Sequence, residues 1–153
     1  EFSKNTDIIY MANYAQTVNV IGCIKTNPTH SVYASTGWAL KMYRDYFGNI
    51  PVEISGETRP FDVAATLTAD RKTLVVSVIN PTWESVRFDL NLENVNVGAD
   101  VELYTLTGPD DMSYNVPGRE EPITISGPHS LRRSKTYEVK PHSANLFRFS
   151  VER

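Results

Sequence analysis

Two rhythms of apolar residues divide the chain, and one gives way to the other between Gly48 and Pro51. On the amino-terminal side the period is helical. Ile8, Met11, Ala12 and Ala15 recur at i, i+3, i+4 and i+7, one face of a helix introduced by Asn5, Thr6 and Asp7. Val18 to Ile24 follows, short, β-branched and almost wholly apolar. Such a run suits a strand covered on both faces, as in a parallel sheet. A turn-rich stretch from Lys25 to Ser31 leads to a second helix, capped by Ser35 or Thr36, in which Ala39, Met42, Tyr43 and Tyr46 share a face. Gly48 stands at the C′ position that ends it. Helix, buried strand, helix is a piece of α/β architecture, too short to close a sheet of its own.

After Pro51 the period falls to two. Phe61, Val63, Ala65 and Leu67 alternate with Asp62, Ala64 and Thr66, and Ala69 to Lys72 makes a hairpin turn into Leu74 to Ile79. Asn80-Pro81 breaks that strand. Val86, Phe88, Leu90 and Leu92 alternate with Arg87, Asp89 and Asn91. Val101, Leu103 and Thr105 continue the style. Ile123 and Ile125, Tyr137 and Val139, and Phe147, Phe149 and Val151 give three more strands, with a long loop from Thr107 to Pro122. Many short strands parted by Gly, Pro, Asn and Asp turns predict an antiparallel β-sandwich over about Val52 to Val151. Its inward side chains should include Phe61, Val76, Val78, Phe88, Leu90, Leu103, Phe147 and Phe149.

Composition narrows the function. The chain has 153 residues, 15 Lys+Arg and 18 Asp+Glu, a net charge of −3 that argues against a nucleic-acid partner. Its apolar runs are too short to cross a membrane. The single cysteine, Cys23, excludes an internal disulfide and reads as a structural thiol. Opening on Glu1-Phe2-Ser3, without Met or a signal peptide, the chain is expected to be a fragment or a processed piece.

No catalytic constellation emerges. His30, His129 and His142 lack the close spacing of metal ligands, so no metal site is expected, and no motif calls for a cofactor. Asp110-Asp111 lacks the alternating oxygen ligands of a calcium loop. Asn27-Pro28-Thr29 and Asn80-Pro81-Thr82 look like glycosylation sequons that the central Pro disables. Glycosidases need two carboxylates, but Glu53, Glu57, Asp89 and Glu120-Glu121 read as solvated charges. Trp83, after the Asn80-Pro81 turn, is the aromatic residue expected to be most exposed.

Certain segments resemble a known family. Asp7-Ile8-Ile9-Tyr10-Met11-Ala12-Asn13-Tyr14-Ala15-Gln16-Thr17-Val18-Asn19-Val20-Ile21 is similar to the run into the last barrel strand of α-L-arabinofuranosidases of glycoside hydrolase family 51. Thr36 to Arg44 looks like that family's final barrel helix. Val75 to Pro81 looks like a strand of its C-terminal β-sandwich, and Lys140-Pro141-His142-Ser143 before an apolar strand also fits.

The resemblance implies a parent enzyme with a (β/α)8 barrel and a jelly-roll-like sandwich. That parent would release terminal arabinofuranosyl groups, with retention, from arabinan, arabinoxylan or their oligosaccharides. In the family both catalytic Glu residues lie on strands upstream of this region, and no residue here matches either. The chain is therefore expected to be inactive alone, its missing partner being the catalytic barrel. The family's last barrel loop often supplies a Gln before a Thr; here Ser35 precedes Thr36, so that contact is not carried over. The loop from Lys25 to Thr36 belongs on the catalytic face of such a barrel, making Asn27, His30 and Ser35 the substrate-side candidates.

Residues 1–49 are thus expected to end the barrel and residues 50–153 to form the sandwich. The compartment is not fixed by the sequence, with a secreted or periplasmic parent preferred. An alternative is a stand-alone carbohydrate-binding or structural sandwich module, for which the helix-strand-helix lead-in has no use. Cut from its barrel neighbours, the strand Val18 to Ile24 is expected to favour self-association.

Overall fold

A computed structural model describes residue 5 and residues 8–152. In chain order it contains β1 (Ile24–Thr26), β2 (Ser31–Tyr33), α1 (Ser35–Tyr46), β3 (Ile50–Val52), β4 (Asp62–Leu67), β5 (Thr73–Asn80), β6 (Val86–Asp89), β7 (Val97–Thr107), β8 (Thr124–Arg132), β9 (Thr136–Val139) and β10 (Ser143–Val151). Six strands make one sheet in the order β3-β4-β5-β10-β7-β8, with every neighbouring pair antiparallel. β6 and β9 pair as a second, antiparallel two-stranded sheet. The fold is the mainly antiparallel β-sandwich that the alternation predicts.

Its main core lies between the two sheets. Leu74, Val76 and Val78 of β5, Val101 of β7 and Phe147 and Phe149 of β10 meet Tyr137 and Val139 of β9 there. Phe61, Phe88, Leu90 and Leu103 pack against that cluster from its margins, so all eight expected inward residues face the same interior. Phe88 contacts the rings of Phe61, Tyr137 and Phe147 at centroid distances of 5.5, 6.0 and 5.9 Å. Period two survives past the end of the hydrogen-bonded ladder: β6 stops at Asp89, yet Leu90 and Leu92 still point inward.

The other face of the large sheet is covered by α1. Met42, with no exposed surface, meets Val75, Tyr104, Leu106, Ile123 and Leu146, and Tyr46 stacks on Tyr104 at 4.0 Å. β5 is consequently buried on both faces, the physical reason its sequence is a nearly continuous apolar run. A short hydrogen bond between the Tyr43 and Ser77 hydroxyls also joins helix to sheet.

The start of α1 differs from expectation, whereas its end places Gly48 at C′, after the C-cap Phe47. Ala34 is the N-cap residue and makes no side-chain cap, while Ser35 and Thr36 lie inside the first turn. Gly48 is needed for proximity, because a Cβ there would collide with the Leu67 carbonyl; its N–H donates to Thr66 Oγ1 at 2.9 Å.

The lead-in departs further. Thr6 and Asp7 lie outside the described residues, and residues 8–22 contain no helix. Ile8, Met11 and Tyr14 are exposed, so the amphipathic face that would hold a helix has nothing against it. An isolated helix shorter than about 12–15 residues is marginal without such packing. Nor is Val18 to Ile24 one strand. Asn19 and Val20 take left-handed backbone (φ 56 and 44), and Gly22 N–H donates to the Asn19 carbonyl at 2.5 Å. The loop closes through a parallel bridge between Val18 and Ile24, and only Ile24–Thr26 pairs further, with β2. A strand buried on both faces requires neighbours on both sides, and here β1 has one.

Candidate functional site

The loop expected on the substrate side is a hairpin, β1 turning into β2, followed directly by α1. Asn27 and His30 sit in its turn. Asn27 Oδ1 accepts from the backbone N–H groups of Thr29 (3.0 Å) and His30 (2.8 Å), forming an Asx turn. Its Nδ2 donates to the Pro117 carbonyl at 3.1 Å, across to the long loop between β7 and β8. His30 Nδ1 lies 2.8 Å from Thr29 Oγ1 and beside Gly118, whose φ of 83 lies in the left-handed region. Asn27 and His30 are thus brought together, with their polar atoms holding the turn and the loop.

Ser35 lies elsewhere, exposed on the first turn of α1. Tyr14 Oη, from the lead-in, reaches this turn, 3.3 Å from Thr36 Oγ1 and 3.0 Å from the Ile21 carbonyl. The candidates therefore separate into a hairpin pair with structural employment and a serine open to a neighbour.

A second tie was invisible to spacing alone. Asn115, almost fully buried, donates Nδ2 to the carbonyls of Tyr33 (3.0 Å) and Ile123 (2.6 Å) and accepts from Ile123 N–H (3.0 Å). This amide straps the long loop to the end of β2 and the start of β8. Asn27-Pro28-Thr29 and Asn80-Pro81-Thr82 prove to be one device used twice. In each, Asn Oδ1 accepts both the N–H and the hydroxyl of the following Thr. The sequence carried that signal, since Asn before Pro favours a turn.

The carboxylates remain dispersed in role. Asp89 accepts the Thr136 hydroxyl at 2.6 Å, Glu57 the Arg59 N–H at 2.9 Å, and Glu53 is exposed. Among the described residues, no group of three or more His, Cys, Asp or Glu side chains is placed to hold a metal ion. A cavity of about 380 Å³ opens at the margin of the sandwich core, between Leu90, Leu92, Val95, Tyr137 and Phe149. Neither Asn27, His30 nor Ser35 lines it.

The family model for the "Alpha-L-arabinofuranosidase C-terminal domain" matches residues 1–143. The chain belongs to this family. Among relatives, a "Probable alpha-L-arabinofuranosidase C" of Aspergillus fumigatus is 28% identical over 170 aligned residues, covering 99% of this chain and 32% of that protein. "Alpha-L-arabinofuranosidase C" of Emericella nidulans is 29% identical over 168, covering 98% and 32%. The chain therefore spans about a third of the length of the curated relatives it matches. The fold agrees with that of the thermostable GH51 α-L-arabinofuranosidase of Thermotoga petrophila, with TM-score 0.79 and 24% identity over 96% of this chain and 35% of that one. An arabinose-bound GH51 α-L-arabinofuranosidase gives TM-score 0.85 at 17% identity, over 97% and 25%. As an arabinofuranosidase C-terminal domain, the chain is not favoured as a stand-alone module.

Proposed function

We propose that this chain is the carboxy-terminal part of a retaining α-L-arabinofuranosidase. Residues 1–49 complete the catalytic barrel, and residues 50–153 form the sandwich that braces it. The observation that carries this reading is the pattern of coverage: almost all of this chain aligns with only 32% of the relatives. The remainder of such a protein is long enough to contain a barrel. The exposed apolar side chains of Ile8, Tyr10, Met11, Val20 and Ile21 support the same reading, because a barrel neighbour would cover them.

Helix α1 couples the two. One face packs Met42 and Tyr46 on the outer face of the six-stranded sheet, so a force on the barrel end reaches the sheet through packed side chains. Ser35, exposed at the start of α1, is the substrate-side residue this arrangement favours; Asn27 and His30 shape the adjoining loop. The reaction is a double displacement that requires a nucleophilic carboxylate and an acid/base carboxylate, both in the rest of the parent. Its substrates are terminal arabinofuranosyl groups of arabinan, arabinoxylan and their oligosaccharides.

A chromogenic arabinofuranoside tests the reading. The 153-residue chain should be inactive, and the parent containing it should turn over with retention of anomeric configuration by NMR. Turnover by the chain alone, lost on substituting one of its own residues, would overturn it.

A further inference from the structure

Trp83 is presented to water by a turn that is otherwise tightly built. The turn lies between β5 and β6, and the Trp83 side chain is 70% exposed. Beneath it, fully buried Asn80 donates Nδ2 to the carbonyls of Glu84 and Lys140, each at 2.8 Å. Asn80 Oδ1 accepts from Thr82 N–H at 3.0 Å and from its hydroxyl at 2.8 Å. The approach to β10 is tied to the same point. His142 N–H donates to the Thr82 carbonyl at 3.2 Å, and Thr107 Oγ1 donates to the His142 carbonyl at 3.2 Å. His142 itself sits at φ 42, in the left-handed region. Its ring meets the indole edge to face, with centroids 4.2 Å apart and planes at 80°.

Three strand ends, those of β5, β7 and β10, therefore converge to hold one aromatic plane outward. Exposing an indole contributes nothing to the sandwich core, and a left-handed non-glycine residue is strained. Both features are kept by a network whose bonds do not involve the indole.

We propose that Trp83 and His142 form a carbohydrate-binding subsite on the sandwich, one that stacks a sugar residue of an arabinose-bearing polysaccharide. The ring face of a sugar carries C–H groups that match an exposed indole, while its hydroxyls project at the rim. There the imidazole offers a hydrogen-bond donor and an acceptor. Glu84 and Lys140, both exposed, start from backbone positions fixed on the same Asn80 amide and add polar groups. Ser85 and His142 are further exposed polar residues in these turns, beside exposed Pro81, so polar side chains stand on both sides of the indole along the chain. That framing favours a sugar over a protein surface. The choice of arabinose rests on the proposed function above; the choice of a sugar rests on the site.

The chain has two tryptophans, which makes the test direct. Trp38 is half-buried on α1, in edge contact with Tyr33, and serves as an internal reference. Arabinan-derived oligosaccharides are titrated into the 153-residue chain while both indole N–H resonances are followed by NMR. Saturable movement of the Trp83 resonance at roughly millimolar sugar, with Trp38 unmoved, is expected. Trp83→Ala should abolish binding, Trp83→Phe should retain part of it, and His142→Ala should weaken it about tenfold. No movement of Trp83, or undiminished binding by Trp83→Ala, would overturn the proposal. So would a Trp83 resonance that moves with protein concentration instead of sugar, which marks a contact between copies. None of these readouts needs catalysis, so the subsite and the parent's activity can fail separately.

Discussion

The lead-in from Ile8 to Tyr33 and the sandwich from Ile50 to Val151 both carry apolar residues at regular spacing, but they dispose of them differently. In the sandwich, Val75, Val101, Leu146, Phe147 and Phe149 have no exposed surface. In the lead-in, Tyr10 is 97% exposed and Met11 68%. The difference is one of partners. The central sandwich strands find a strand on each side and a packed layer above them within the same chain, whereas the lead-in pairs only its own two three-residue strands and is tied to the rest through the start of α1 and a few polar contacts with the long loop. An apolar pattern declares a need for cover, and whether that need is met depends on what else the chain contains.

The largest effects should appear where cover is complete. Phe147→Ala removes a fully buried ring that contacts Phe88 and Tyr137, and should cost about 3–5 kcal/mol in urea denaturation. Met11→Ala in the same chain should stay within about 0.5 kcal/mol, as exposed positions do. A Met11→Ala loss comparable to that of Phe147→Ala would erase the distinction between the two regions.

A smaller effect concerns what the uncovered residues do alone. Val20 and Ile21 stand exposed on the loop that precedes β1, and apolar side chains so placed favour association between copies. Sedimentation at micromolar concentration should show self-association that Ile21→Asp reduces. A wild-type chain that stays monomeric throughout would sink this expectation while leaving the sandwich untouched.

The smallest effect is electrostatic and belongs to the turn between β4 and β5. The Thr68 hydroxyl, 2.7 Å from Asp70, and then the Lys72 N–H, at 3.1 Å, hold the Asp70 carboxyl below its ordinary value of 3.8. Because the folded chain binds this proton less readily than the unfolded one, the contribution to stability is complete above about pH 4 and fades as pH falls through the lowered value. Asp70→Asn should flatten that acid limb slightly, with urea midpoints from pH 5 down to 2 as the measurement. Since the carboxyl is fully exposed, a large change would point to a different acid group.

Legibility followed the same division. The alternation of Phe61, Val63, Ala65 and Leu67, and that of Phe88, Leu90 and Leu92, was readable because a two-residue period leaves a strand only one apolar face to bury. Asn80-Pro81 ended a strand as read, but the sequence did not reveal that the Asn80 amide would bind carbonyls at Glu84 and Lys140, because one of them lies sixty residues away. The strap made by Asn115 was hidden for the same reason. Of the site candidates, Asn27 and His30 were correctly placed in one turn, while their engagement with Pro117 and Gly118 depended on where the long loop came to rest.

The sequence by itself determined the sandwich's strand pattern, its inward face and the helix from Ser35 to Tyr46, because these follow from local periodicity and from chemistry within a few residues. Tertiary structure decided the rest. It laid α1 across the six-stranded sheet, drew β5, β7 and β10 together under Trp83, and left Ile8–Ala15 without a helix and Val18 to Ile24 folded into a loop. The physical reason is that a helical or strand pattern has only a marginal preference for its own conformation. Burial against a partner supplies the stability, and the chain provided such a partner for the sandwich and none sufficient for the lead-in.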